Sequence, residues 1–264
     1  MASGPLPTIF LSHGSPTLPI ERGEPAHRFL ISLGKKYPDI GAVLCISAHW
    51  NTIRPAVNMT GRPQTIHDFS GFPPELNRIA YPARGSPELA GRAADLLDAS
   101  GITCDRDPER GLDHGAWVPL SLMYPDARPA VVQLSIQRHL DPAQHLALGR
   151  AVAPLKDDGV LIIGSGGAVH PLGDPSIPLG KGVPTEDWAV AFNDWLTRAV
   201  TEGDEASLIR YRELAPSAEH AQPYPDHFMP LLAAFGAAGK GARGTVLHQS
   251  WYWGNLGMGA YEFR

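Results

Sequence analysis

One α/β domain, with a mainly parallel or mixed central β-sheet flanked by helices on both faces, is what this 264-residue sequence predicts. Three observations predict it. Five short apolar runs are β-branched, continuous rather than alternating, and bounded by Gly or Pro, as strands covered on both faces are. Helical patterns separate them, the order expected of βαβ units. No linker-like shift of composition divides the chain, so residues 1–264 read as a single catalytic-sized unit.

The elements follow in order. Thr8–Ser12 (TIFLS) is the first expected strand, and Pro25–Lys36, apolar at Phe29, Leu30 and Leu33, the first helix. Ala42–Ala48 (AVLCISA) is the second strand. Arg54–Tyr81 is Pro-rich without a helical pattern and predicts an edge hairpin plus a long loop, a kind of segment that is often functional. Pro87–Ala99 is helical, and another helix is expected to begin near Trp117-Val118-Pro119. Ala130–Ser135 (AVVQLS) is the third strand; Asp141-Pro142 is a start signal for a helix running to Leu155. Gly159–Gly164 (GVLIIG) is the fourth strand, and Glu186–Thr201 a helix with Trp188, Phe192 and Trp195 on one side. Asp226–Ala238 opens with Asp226 as the expected N-cap and Pro230 in the first turn. Gly244–His248 is the last strand expected.

Composition narrows the function classes. Apolar residues make up 43% and charged residues 19%, enough for a sizeable core. The net charge of −5 argues against nonspecific attraction to nucleic acid or anionic lipid. No stretch reads as a signal peptide or a membrane span. Two cysteines, Cys45 and Cys104, make neither a disulfide framework nor a four-cysteine zinc site. A reduced, cytoplasmic protein is the expectation.

The 11 histidines are informative by position. His13 directly follows the first strand, His49 the second, and His170 the glycine-rich exit of the fourth. Parallel strands gather their exit loops on one side of the sheet, where ligands bind, so these three imidazoles are expected to converge. His227, at a predicted helix start, can face the same crevice, and His114, framed by glycines in Gly111-Leu112-Asp113-His114-Gly115, can approach a ligand closely. Neutral imidazoles are the commonest protein ligands of first-row divalent metals, and such a set suits zinc, iron or manganese. Acidification below about 6.5, the free-imidazole pKa, is expected to release the metal. The remaining histidines are expected in bland roles: His27, His139, His145 and His220 solvated, His67 on the long loop, His248 hydrogen-bonded at the end of the last strand. Gly164-Ser165-Gly166-Gly167 lacks the Gly-x-Gly-x-x-Gly pattern and a following Lys-Ser/Thr, so a phosphate-binding loop is not expected.

Several short motifs occur together: Leu11-Ser12-His13-Gly14-Ser15-Pro16, Ile46-Ser47-Ala48-His49-Trp50, His67-Asp68-Phe69 with Gly71-Phe72-Pro73, Gly111 through Leu120, Gly164-Ser165-Gly166 through His170, and Asp226-His227-Phe228. In this order they resemble the DOPA 4,5-dioxygenase branch of the class III extradiol ring-cleavage dioxygenases, relatives of the LigB subunit of protocatechuate 4,5-dioxygenase. The resemblance runs from Ile9 to Phe263, and Gly111–Leu120 is its most specific part. It implies a LigB-like fold and one non-heme metal, Fe(II) in the active enzyme with zinc able to occupy the site. It also implies a small catecholic substrate, DOPA or a related catecholic acid, opened by O2 to a muconic semialdehyde. By motif, His13, His49 and His227 carry over as metal ligands. His170 matches a position that is either a further ligand or the catalytic acid/base, His114 a catalytic residue contacting substrate or oxygen, and Trp117 a substrate-binding position. No nucleic acid or membrane partner is implied, and the chain acts as a monomer or homo-oligomer. Two other readings use the same histidines: a zinc-dependent hydrolase, which would act without oxygen, and a silent metal- or catechol-binding relative.

Overall fold

The computed structural model describes residues 5–264. Within them lie β1 (Thr8–Ser12), α1 (Pro25–Lys36), β2 (Ala42–Asn51), β3 (Ala56–Asn58), α2 (Pro87–Ala99), β4 (Asp105–Asp107), α3 (His114–Met123), β5 (Ala130–Ile136), α4 (Pro142–Val152) and β6 (Val160–Gly166). The C-terminal part adds α5 (Asp187–Glu202), the short α6 (Glu205–Ile209), α7 (Tyr211–Leu214) and α8 (Ala218–Ala221), then α9 (Met229–Ala238), β7 (Gly244–His248), β8 (Trp251–Tyr252), β9 (Leu256–Gly257) and β10 (Ala260–Phe263). Eight strands form one mixed sheet in the order β4-β3-β5-β2-β6-β1-β10-β7. β5, β2, β6 and β1 pair in parallel at its centre, which puts their carboxyl ends on one edge. β10 lies antiparallel between β1 and β7.

Alternation along the central strands divides the core in two. Phe10, Leu44, Ile46, Val132, Leu134 and Ile162 face one side, where α2, α4, α5 and α9 pack. Ile9, Leu11, Val43, Cys45, Val131 and Ile163 face the other, under α1 and α3. A strand buried on both faces needs apolar residues at both parities, which is why these runs read as continuous.

The predicted class holds, with local differences. Arg54–Tyr81 is not a hairpin: β3 pairs with β5 and β4, and a 3₁₀ turn spans Pro74–Arg78. The helix expected near Trp117 begins at His114, capped by the Asp113 side chain accepting from Ala116 N. Asp226 is not an N-cap, because α9 starts later, with Phe228 at its cap and Pro230 in its first turn. β7 is an antiparallel edge strand, and β10, too short and too polar at Glu262 to stand out, has no counterpart among the expected strands. Among the described residues no helix is long and apolar enough to cross a membrane.

Candidate metal centre

His13 leaves the end of β1, its backbone N–H donated to Gly166 O at 3.1 Å across to β6. His49 lies inside β2 rather than after it. The β2–β5 register shifts between Ser47 and Asn51, and such an irregularity re-aims a side chain next to a site. His227 sits just before α9, where a Cβ on Gly166 would collide with its carbonyl; glycine there lets this loop lie against β6. Gly115 does the same at the start of α3, where a Cβ would lie 2.5 Å from Ser47 Oγ.

These placements bring distant imidazoles together. His13 Nε2 and His49 Nε2 are 3.0 Å apart, and His227 Nε2 is 3.2 Å from His49 Nε2. Ligands at about 2.0–2.1 Å from a tetrahedral ion stand roughly 3.3–3.4 Å apart, so the spacing is close to that of a ligand set. His114 joins from the side, its ring centroid 3.7 Å from that of His49. One ring nitrogen each of His13, His49 and His114 lie within 4.8 Å of one another, a group able to hold an ion. His170 stacks on His227, with centroids 3.4 Å apart and planes 7° from parallel.

The surroundings decide which nitrogen carries the proton. Ser165 donates its only hydroxyl hydrogen to Gly115 O, which can only accept. His13 Nδ1, 3.0 Å from Ser165 Oγ, must therefore be the donor to that oxygen, which leaves Nε2 with its lone pair. Asp226 Oδ1 accepts from His227 Nδ1 at 2.8 Å, and Asp68 Oδ1 from His114 Nδ1 at 2.9 Å, with the same consequence. Converging lone pairs repel unless a cation or a single shared proton lies among them, and outer partners of this kind orient metal-ligating histidines. The donor set therefore fits a divalent ion.

Burial keeps His13, His49, His170 and His227 neutral. Desolvation, with like-charge repulsion among the imidazoles, lowers His13 and His227 well below the ordinary histidine range. Desolvation brings His49 and His170 down to about 3, although Asp226 partly opposes it in both. The free-imidazole value near 6.5 is thus not the acid limit for these side chains in the folded chain. Burial would raise Asp68, but the hydrogen bonds from His114 outweigh it and hold the carboxyl at about 2.

A cavity of about 230 Å³ opens beside the cluster, lined by His13, His49, His114 and His170 on one wall. Phe69, Phe72, Val169, Leu172, Trp253 and Met258 form much of the remainder. Trp117, expected at the substrate, is fully buried and does not line it; its indole N–H is donated to Ile66 O at 3.0 Å, behind Phe69. The aromatic wall from the long loop and from Trp253 is what the sequence reading missed, since single aromatics in loops carry no periodicity.

Comparisons with known proteins agree with this architecture. The family model for the catalytic LigB subunit of aromatic ring-opening dioxygenase matches residues 7–264. A Beta vulgaris protein named 4,5-DOPA dioxygenase extradiol is 48% identical over 260 residues, covering 97% of this chain and 96% of that protein. An Escherichia coli K12 protein of the same name is 37% identical over 246 residues, covering 90% and 87%. The crystal structure of an uncharacterized protein from Escherichia coli K12 superposes with a TM-score of 0.78 at 31% identity, covering 97% of this chain and 99% of that one.

Proposed function

The chain belongs to the family of the catalytic LigB subunit of aromatic ring-opening dioxygenases and is an extradiol dioxygenase, and from that premise we propose that it opens a catechol with O2 at an Fe(II) ion held by His13, His49 and His227. The observation that carries this reading is the convergence of three Nε2 atoms, two of them left with free lone pairs because Ser165 and Asp226 accept from the Nδ1–H groups of His13 and His227. Fe(II) held there would acidify the catechol hydroxyls and pass electrons from the ring to O2. Zinc suits the same nitrogens but has no redox chemistry, so a zinc form is inactive.

His114 and His170 move protons in this reading. A proton taken up at His114 Nε2 makes an imidazolium that the Asp68 carboxylate stabilises through Nδ1–H. His170 is held neutral by burial, and among the described residues no carboxylate is hydrogen-bonded to its ring, so it would hold a proton only in passing. His170 would stay outside the ion-holding set, because its ring lies face to face with that of His227, centroids 3.4 Å apart and planes 7° from parallel. A second ligand set, His13, His49 and His114, is favoured by the mutual closeness of their ring nitrogens.

Oxygen-electrode traces on a catechol panel, with iron-loaded and zinc-loaded protein compared, test the reaction. Uptake in the iron form alone is expected; oxygen-independent turnover in the zinc form would favour a hydrolase instead. Metal content of His227→Ala and His114→Phe separates the two ligand sets, with loss expected in the first and retention in the second.

A further inference from the structure

We infer that Asp68 is a positioning residue shared by a metal ligand, His49, and by the proton carrier His114, one carboxylate oxygen serving each; this rests on the ligand set and the role of His114 given above. Asp68 Oδ1 accepts from His114 N at 3.0 Å and from His114 Nδ1 at 2.9 Å. Its other oxygen, Oδ2, stands 3.7 Å from His49 Nδ1. His49 turns Nε2 toward His13 and His227, so an ion bound there takes the Nε2 lone pair and leaves the proton on Nδ1, facing Asp68. Asp226, in contrast, is hydrogen-bonded to one imidazole among the described residues, that of His227.

The loop around Asp68 holds it in that position. His67 donates from Nε2 to Ile79 O at 3.0 Å, and Phe69 sets its ring edge-on to that of His114, with centroids 5.8 Å apart. Asp68 is thus fixed by contacts of both its chain neighbours. Asparagine is nearly isosteric: its Oδ1 still accepts from His114, which keeps the loop docked. The charge is lost, however, and an Nδ2–H group then faces the Nδ1–H of His49, donor against donor. Asp68→Asn therefore separates the orienting charge from simple anchoring of the loop.

The test is a double-mutant cycle of Asp68→Asn and His114→Phe with two readouts. Zinc affinity, by competition with a chromophoric chelator, is expected to fall about 10–100-fold in Asp68→Asn. The same fall is expected in the His114→Phe background, because this effect passes through His49. At saturating iron, kcat for the best substrate of the catechol panel is expected to fall by about 10²-fold or more in Asp68→Asn. The double variant is expected to be no slower than His114→Phe alone, because this effect passes through His114. Losses in kcat that multiply, or an unchanged zinc affinity, overturn the shared role and leave Asp68 a loop anchor. Melting of the metal-free variants near wild type checks that the loop stays docked, and Asp68→Ser replaces an Asn variant that does not fold. If no catechol drives oxygen uptake, the ring-opening reading fails, and the zinc-loaded chain decides. Its His114 Nδ1–H proton resonance, identified by its absence in His114→Phe, is expected to move upfield in Asp68→Asn as the charge-assisted hydrogen bond is lost. An unmoved resonance, or zinc affinity as in wild type, overturns the proposal.

Discussion

Asp113 shows how one carboxylate can organise several imidazoles. Fully buried, it accepts hydrogen bonds from Ser47 Oγ at 2.7 Å, from Arg110 Nη2 at 2.9 Å and from Gln133 Nε2. It also caps α3, so it fixes the backbone of His114 and of Gly115, whose carbonyl holds Ser165 against His13. Through Ser47 Oγ, which accepts from His49 N at 3.2 Å, it reaches the end of β2. Asp113→Asn would turn an acceptor into a donor facing other donors. Loss of one member of a buried charged network costs about 3–5 kcal/mol, so a fall of that size in urea-derived stability is expected, with weakened metal binding; a neutral outcome in both would remove Asp113 from this role. His114→Phe and His170→Ala should keep the metal and lower turnover by about 10²–10⁴-fold, the usual contribution of a general acid or base. Near-wild-type kcat in either variant would make that side chain packing only.

At the scale of elements, the entrance to α4 carries a histidine unrelated to the reaction. Its capping box, Asp141 with Gln144, is complete. His145, expected in solvent, is buried instead, accepting from Gln137 N at 3.1 Å on Nε2 and donating from Nδ1 to Asp141 O at 3.2 Å. Burial brings it down to about 4 despite those contacts with Asp141. The folded pKa lies below the unfolded one, so the unfolded chain binds the proton first and stability falls with acid from about 6.5 toward about 4. Between pH 7.5 and 5 this group accounts for on the order of 2 kcal/mol. His145→Asn should flatten that part of the profile in urea titrations of the metal-free chain, and an unchanged slope would refute the assignment. The case also shows where sequence reading stops. The cap signal at Asp141-Pro142 is local and was readable, whereas the burial of His145 depends on how the β5–α4 turn folds back on itself. Likewise the end of β1 at His13 follows from a continuous apolar run, but the irregularity that aims His49 depends on its pairing with β5, which β2 alone does not encode.

For the whole molecule, the topology makes the candidate ion a long-range cross-link. His13, His49 and His227 hang from β1, β2 and the loop before α9, and the crossing of β6 between β1 and β2 brings the first two to one edge. That convergence was legible in outline, because parallel strands share an exit side. The aromatic wall and the displaced Trp117 were not, since they depend on where the 54–81 loop and the β8–β9 turn settle against the sheet. Binding of an ion to the folded chain alone stabilises it by about 2.7 kcal/mol at a hundredfold excess over Kd, which for a chain of this size corresponds to a rise in Tm of roughly 5–10 °C. Chelation should therefore lower Tm and re-addition of Fe(II) under argon, or of zinc, should restore it. His13→Ala should melt near the chelated wild type whether or not metal is added, because one of the three anchoring segments can no longer hold the ion. A metal-dependent Tm that survives His13→Ala would place the ion elsewhere.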